Sequence, residues 1–370
     1  MTSAALPQVF PSLTSFRFFL ALGVVLFHLQ LTWSWPTLAW TGLIERARLG
    51  VDVFFIRSGF VLTHVYARHV DSSQFDYRAF LIARLARIYP AHILILLGMG
   101  GVSLAALALG ESFDPQSYSP LGFVQTALLT HAWFPTQTPI EWNGPSWSLS
   151  AEWAAYLLFP GFLALGMLLH RRPWILLLIA VSSFLGLDAL YRALMQDELL
   201  HAEFNLGILR IIPTFVCGIG LYMLATRVQL QRRTAIALAI VAAALLVALM
   251  HLRVDQRLIV AASGGLVLSL AWLSAAEADG PLKWPVLMFL GEASYAIYLL
   301  HLPLITVWKN ARAILFGGDS SYVMPMGEAA LLALAIVLGG CVIHGLFERP
   351  ARLWLRRRFL PVATKAQAVA

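Results

Sequence analysis

Charge is scarce in this chain. Only 12% of its 370 residues are Asp, Glu, Lys or Arg, about half the share of a soluble domain. A soluble chain of this length needs far more polar surface to stay dispersed. The scarcity excludes a secreted soluble enzyme, a disordered scaffold and an ordinary nucleic-acid binder. Cysteine is nearly absent as well. Cys217 and Cys341 both fall in apolar runs, where a small hydrophobic role is the better expectation than a disulfide. The chain lacks the His-Glu-x-x-His stretch of a zinc peptidase and the Gly-rich phosphate loop of an ATP-driven pump.

What is present is apolar: 59% hydrophobic residues and a mean hydropathy of +0.76. A membrane span needs about 20 mostly apolar residues. Ten runs qualify, near 13–33, 50–67, 90–110, 147–169, 173–191, 206–226, 234–251, 257–276, 286–308 and 327–348. The run 50–67 is the least hydrophobic of them. The shorter apolar segment 121–134 reads as an interfacial or re-entrant helix. No cleaved leader and no soluble appendage are expected. The fold class is therefore all-α, a polytopic membrane bundle of about ten helices.

The surplus of positive charge, +7 overall, serves to orient such a bundle. With the N-terminus inside, sixteen of the 26 basic residues fall in cytoplasmic segments, from Arg68, Arg78, Arg84 and Arg87 through Arg349, Arg352 and Arg356 to Lys365. Seven fall outside, among them Arg48, and three lie within spans. That asymmetry predicts both termini in the cytoplasm.

An ionisable side chain inside a bilayer is costly unless paired or hydrated, so each is a functional candidate. Arg17, His28, Asp52, Arg57, His64, Glu152, Arg210 and His301 qualify. Arg17 and His28 are eleven residues apart, about three turns plus 20°, so they share one helix face at a separation of roughly 16 Å. The run Gly50–Phe60 holds Asp52, an N-cap or interfacial charge, and Arg57, which can reach Asp52 only across a broken helix. Arg84 and Arg87 share a face and suit either an orientation signal or a clamp for an anionic ligand, with Pro90 opening the next span. Ser148, Glu152 and Tyr156 form a polar stripe at i, i+4, i+8, and Ser294, Tyr298 and His301 form another. Such stripes line polar cavities more readily than they face lipid. Gly144-Pro145-Ser146 with His301 also mimics a membrane serine protease pair, on a lone tripeptide and a distant histidine.

Taken in order, Arg17 with His28, Gly50–Phe60, Arg84 with Arg87, Trp147–Glu152, Ser294–Pro303 and Glu348-Arg349-Pro350 resemble the acyltransferase family 3 of bacterial integral-membrane acyltransferases. The resemblance runs from about Leu13 to Arg352. It implies an integral-membrane acyltransferase domain over 1–355 with a basic cytoplasmic tail at 356–370. It further implies an inner-membrane O-acyltransferase moving an acyl group, usually acetyl, from cytoplasmic acyl-CoA to a hydroxyl of a cell-surface or exported glycan or lipid-linked saccharide. Acyl-CoA is then a donor substrate, with no permanently bound cofactor or metal and no nucleic-acid partner. Arg17 and His28 are expected to be essential. His28 is the expected catalytic base, Arg17 steadies the donor or a developing oxyanion, and Glu152 and Asp52 orient them or line the cavity. Arg84 and Arg87 are expected to hold the donor phosphates, and Ser148, Tyr156, Tyr298 and His301 to contact substrate. Two departures from the family pattern, Arg57 before Ser58 and Ala154-Ala155 before Tyr156, bear on acceptor shape. The rival reading of the same buried polar residues is a transporter or flippase for a lipid-linked sugar or small anion.

Overall fold

The computed structural model describes residues 6–35, 37–71, 75–110, 114–136, 140–316 and 322–360. Lys365, with most of the expected tail, lies outside the described residues, as does the side chain of Arg68. Among the described residues the backbone is helical, with one isolated parallel β-bridge between Trp33 and Met324.

Helix α1 (Pro11–Gln30) begins on a proline, which needs no amide partner at a helix start. Two single turns follow, α2 (Thr37–Trp40) and α3 (Leu43–Arg46), before α4 (Gly50–Asp71). The long α5 (Tyr77–Ala108) is capped by the Asp76 carboxylate on the Ala79 amide. The segment expected to be interfacial or re-entrant yields only the eight-residue α6 (Pro120–Ala127), with Leu121 and Val124 exposed. Then come α7 (Trp147–Leu157), α8 (Phe159–Leu168), α9 (Pro173–Met195), α10 (Ile208–Ala225), α11 (Arg232–His251), α12 (Gln256–Ala275), α13 (Pro285–Phe316) and α14 (Met326–Ile343). A π-helical turn, His344–Glu348, leads into α15 (Arg349–Phe359).

Nine helices among the described residues are long and apolar enough to cross a membrane, ten if α7 and α8 count as one broken span. Two expectations need correction. The run 147–169 is not one helix, because the chain bends by 59° between α7 and α8. Pro160 in the first turn of α8 cannot continue the hydrogen-bond ladder of α7. Conversely, Pro90 does not open a span. It sits inside α5, whose 32 residues extend about 48 Å against a hydrocarbon core of about 30 Å. Arg84 and Arg87 thus ride on the same rigid helix as the span itself.

Burial sorts the helices into an inner set and a lipid-facing ring. The apolar windows of α4 and α10 are 72% buried and that of α12 is 67% buried, against 17% for α11 and 22% for α9. The outward leucines and valines of α9, α11 and α14 need no polar cover in a bilayer. Lipid tails are as apolar as leucine, so helices associate by close packing rather than by excluding water. Glycine makes the closest approaches possible. A Cβ on Gly218 of α10 would stand 2.0 Å from the Ile56 carbonyl oxygen of α4, and one on Gly291 of α13 would stand 2.1 Å from the Thr14 oxygen of α1.

Leucine at Gly291 therefore forces α13 away from α1. A clear drop in melting temperature in detergent is expected for Gly291→Leu, with little change for Gly265→Leu, where a Cβ meets nothing within 4 Å. Equal melting temperatures for the two variants would show that this crossing is not tight.

Candidate functional site

Two cavities formed by the described residues gather most of the ionisable groups expected from sequence. The larger, of about 600 Å³, is lined by seven arginines: Arg17 from α1, Arg57 from α4, Arg84 and Arg87 from α5, and Arg349, Arg352 and Arg356 from α15. Glu152 and Glu292 are the acidic groups on the same wall. Glu152 accepts a hydrogen bond from Ser58 Oγ at 2.8 Å, and Tyr156 follows one turn on along α7 in the same lining. Arg57 Nε donates to the Leu13 carbonyl at 3.3 Å. Arg87 pairs at 2.8 Å with Glu348, a carboxylate of zero exposure. The other oxygen of Glu348 meets His344 Nδ1 at 3.0 Å, and His344 Nε2 lies 3.7 Å from Glu292. Both His344 and Glu348 belong to the π turn, a local irregularity that recurs at functional sites.

The smaller cavity, of about 240 Å³, holds His28 and His301, with Arg48, Glu141, Glu203 and Arg210 around them and Phe27, Trp147 and Phe204 as aromatic walls. His28 Nδ1 lies 3.0 Å from the Val24 carbonyl, one turn back on α1, and 3.2 Å from His301 Nε2. His301 Nδ1 in turn contacts the Tyr298 carbonyl. Carbonyls only accept, so this pattern assigns the protons. His301 carries hydrogen on Nδ1 and offers a lone pair at Nε2. His28 then carries hydrogen on Nδ1, shared between Val24 and His301. That leaves His28 Nε2 as the basic nitrogen. Glu203 reaches this cavity from the loop before α10 with an exposed side chain; desolvation raises its carboxyl, opposed by Arg210 and Arg48.

The two linings have only Val51 and Tyr298 in common. Tyr298 is tethered, its hydroxyl 3.0 Å from Ser148 Oγ and 3.1 Å from the Pro145 carbonyl. It forms the partition between an arginine-lined chamber and a histidine-lined one.

Of the residues expected from sequence, Arg17, Arg84, Arg87, Ser148, Glu152, Tyr156 and Tyr298 come together around the larger cavity. His28 and His301 join Tyr298 around the smaller. Arg17 and His28 share a helix face, yet they serve different chambers. Asp52 lines neither cavity. Both its oxygens are bound by Arg210, at 2.9 and 2.7 Å, and the Arg210 guanidinium lies 5.1 Å over the Trp147 ring. His28 is held by His301 and Val24, with Glu152 in the other chamber. The serine protease pairing does not form either. Ser146 faces His131, at 3.1 Å, and the pair lines neither cavity. Sequence reasoning passed over Arg349, Arg352 and Arg356 as orientation charges, although their spacing of three and four places them on one helical face. It also passed over Glu141 and Glu203, which lie in connecting segments where hydropathy carries no signal.

A multi-pass helical membrane protein with a histidine pair in contact across two helices and an arginine chamber fits the class of membrane acyltransferases. A family profile described as an acyltransferase domain matches residues 10–345, and the chain belongs to the acyltransferase family 3. It is 34% identical over 402 residues to the acyltransferase MdmB of Streptomyces mycarofaciens, covering 96% of this chain and 94% of that one. Over 329 residues it is 26% identical to the O-acetyltransferase OatA of Staphylococcus aureus, covering 81% of this chain and 51% of the relative. YrhL of Bacillus subtilis, whose name proposes a peptidoglycan O-acetyltransferase, is 22% identical over 82% of this chain and 50% of its own length. The chain thus spans about half the length of the latter two. No solved structure matches.

Asp52→Ala leaves the Arg210 charge buried without its partner, which costs about 3–5 kcal/mol in comparable pairs. Thermal unfolding in detergent is expected to show that loss, and Asp52→Ala with Arg210→Met is expected to restore most of it. A second prediction concerns His131, outside the spans, which burial and the neighbouring His92 push down to about 3. The folded state keeps this ring neutral while the unfolded chain protonates it below its ordinary value of about 6.5. Its contribution is therefore full above pH 6.5 and is lost between pH 6.5 and 3, at up to about 1.4 kcal/mol per pH unit. His131→Gln is expected to flatten that acid limb of the stability curve, and an unchanged limb would sink the assignment.

Proposed function

We propose that the protein is an inner-membrane O-acyltransferase with both termini cytoplasmic, taking acyl groups from cytoplasmic acyl-CoA and passing them to a hydroxyl of an extracytoplasmic saccharide. One observation carries this reading: seven arginines line one chamber, a histidine pair lines the other, and the chambers meet at Tyr298. Guanidinium forks match phosphate oxygens, so the larger chamber suits the polyanionic end of the donor. The smaller chamber has aromatic walls and mixed charge, which suits a sugar more than a polyanion. The names of OatA and YrhL, both O-acetyltransferases and the latter a proposed peptidoglycan one, point the same way.

The chemistry is direct. The thioester end of the donor reaches Tyr298 from the arginine side. His28 Nε2 takes the proton of the acceptor hydroxyl, whose oxygen attacks the thioester carbonyl. The tetrahedral intermediate collapses with loss of the coenzyme A thiolate, and the proton on His28 is released to that sulfur or to water. His301 keeps the His28 ring in the tautomer with a free Nε2. Arg17, with Arg87, Arg57, Glu348 and Glu152 as the charges acting on it, steadies the donor. Asp52 acts at one remove, by holding Arg210.

The test uses two measurements. Acetyl esters on cell-surface glycans are expected to vanish in His28→Ala cells at matched protein level, since a general base contributes about 10²–10⁴ in rate. Purified Arg84→Ala/Arg87→Ala protein is expected to bind acetyl-CoA at least about tenfold more weakly. Wild-type ester content in the histidine variant removes the base, and wild-type protein that ignores coenzyme A thioesters removes the donor.

A further inference from the structure

Helix α15 is basic all round, but it presents its arginines in two sets. Arg352 and Arg356 line the larger cavity half-buried and Arg349 lines it while exposed, whereas Arg357 and Arg358 are exposed and line neither cavity. An orientation signal needs charge at the membrane surface and gains nothing from turning it inward. Enclosing guanidinium groups is expensive unless a counter-charge meets them.

The carboxylates nearby are already engaged. Glu348 is shared by Arg87 and His344, Glu292 faces His344, and Glu152 is bonded by Ser58. Meanwhile α5, against which α15 packs, brings Arg84 to the same cavity at 8% exposure. The Nε atoms of both Arg84 and Arg352 are buried and have no hydrogen-bond partner among the described residues. A buried guanidinium on α5 facing half-buried ones on α15 makes a receptor for an anion with several charged oxygens.

We propose that Arg352 and Arg356 of α15, opposite Arg84, form a phosphate subsite of the larger cavity that recognises the diphosphate or ribose phosphate of a nucleotide-bearing thioester. The subsite rests on the reading of that cavity as the donor chamber. It makes α15 a determinant of donor specificity: the helix selects the nucleotide end of the donor, while the thioester end is handled near Tyr298. The same phosphate chemistry is offered by anionic lipid headgroups, so the test separates the two.

Binding is measured on the purified full chain in neutral detergent free of phospholipid. Arg352→Gln/Arg356→Gln is expected to raise the Kd for acetyl-CoA by at least about tenfold. Binding of acetylpantetheine, which keeps the thioester and lacks the phosphates, is expected to stay at the wild-type value, as is the melting temperature. Arg357→Gln/Arg358→Gln is expected to change neither ligand. An unchanged Kd for acetyl-CoA overturns the subsite alone, and so does an equal loss for both thioesters, which marks a structural role. An effect that emerges only when phosphatidylglycerol is added assigns the phosphate to lipid and overturns it too. Wild-type protein that binds neither thioester overturns the donor reading and the subsite with it.

Discussion

Enclosing positive charge within an apolar bundle is the constraint that shapes this molecule. A guanidinium loses several kcal/mol of hydration when it leaves water, and recovers it only from carboxylates, carbonyls, aromatic faces or bound anions. The structure uses each of the first three. Arg210 takes both oxygens of Asp52 and the face of Trp147. Arg57 takes the Leu13 carbonyl, and Arg87 takes Glu348 and lies over the Tyr295 ring. The π turn and the crossing of α5 with α15 follow from the same need, because they bring Glu348 to Arg87. The supply of carboxylates nonetheless runs short around the larger cavity, where arginines outnumber the lining acids by seven to two. On the proposed reading, the phosphates of the donor meet that imbalance.

The histidine pair obeys the opposite logic. Two imidazoles in contact inside a low-dielectric bundle cannot both be charged, so they share hydrogens instead. Each Nδ1 is fixed by a carbonyl of its own helix, Val24 for His28 and Tyr298 for His301. The tautomers therefore follow from helical backbone geometry and need no carboxylate. This explains why neither Asp52 nor Glu152 stands beside His28, although catalytic histidines commonly lean on an acid. Asp52 ties α4 to α10, and Glu152 is engaged by Ser58 in the other chamber.

Much of this was legible in the sequence. Apolar runs located the spans because a bilayer demands length and hydrophobicity from each one, and the few ionisable residues within them named both cavities. The 3.6-residue period places Ser148, Glu152 and Tyr156 on one lining, but the second stripe is divided, with Ser294 on the larger cavity, His301 on the smaller and Tyr298 on both. Partners across helices were not legible. Nothing local in α1 tells that His28 meets a residue 273 positions away, or that Asp52 meets Arg210 rather than Arg57. The break at Pro160 was visible as a residue but masked by the hydropathy of its neighbours. The cavity-lining arginines of α15 are hidden by a rule applied too broadly, since a basic segment after a last span ordinarily marks the cytoplasm and no more.

A catalyst that serves two aqueous phases faces a demand that a soluble enzyme does not. Its donor and acceptor must meet, yet the path between them cannot conduct water or ions. On the proposed reading the structure answers with two chambers that touch through Val51 and Tyr298. The tyrosine hydroxyl is bound to Ser148 and Pro145 on α7 and the turn before it, so the ring is braced from the helix opposite α13. Phosphates held by arginines stay behind that partition, and a small acyl group is the part of the donor that needs to come level with it. The division also accounts for the placement of Arg17 and His28 on one helix about 16 Å apart. On that same reading, one side chain serves where the donor's charge rests and the other where the proton is taken. A single straight helix through both chambers is the shortest rigid element that sets the distance between them.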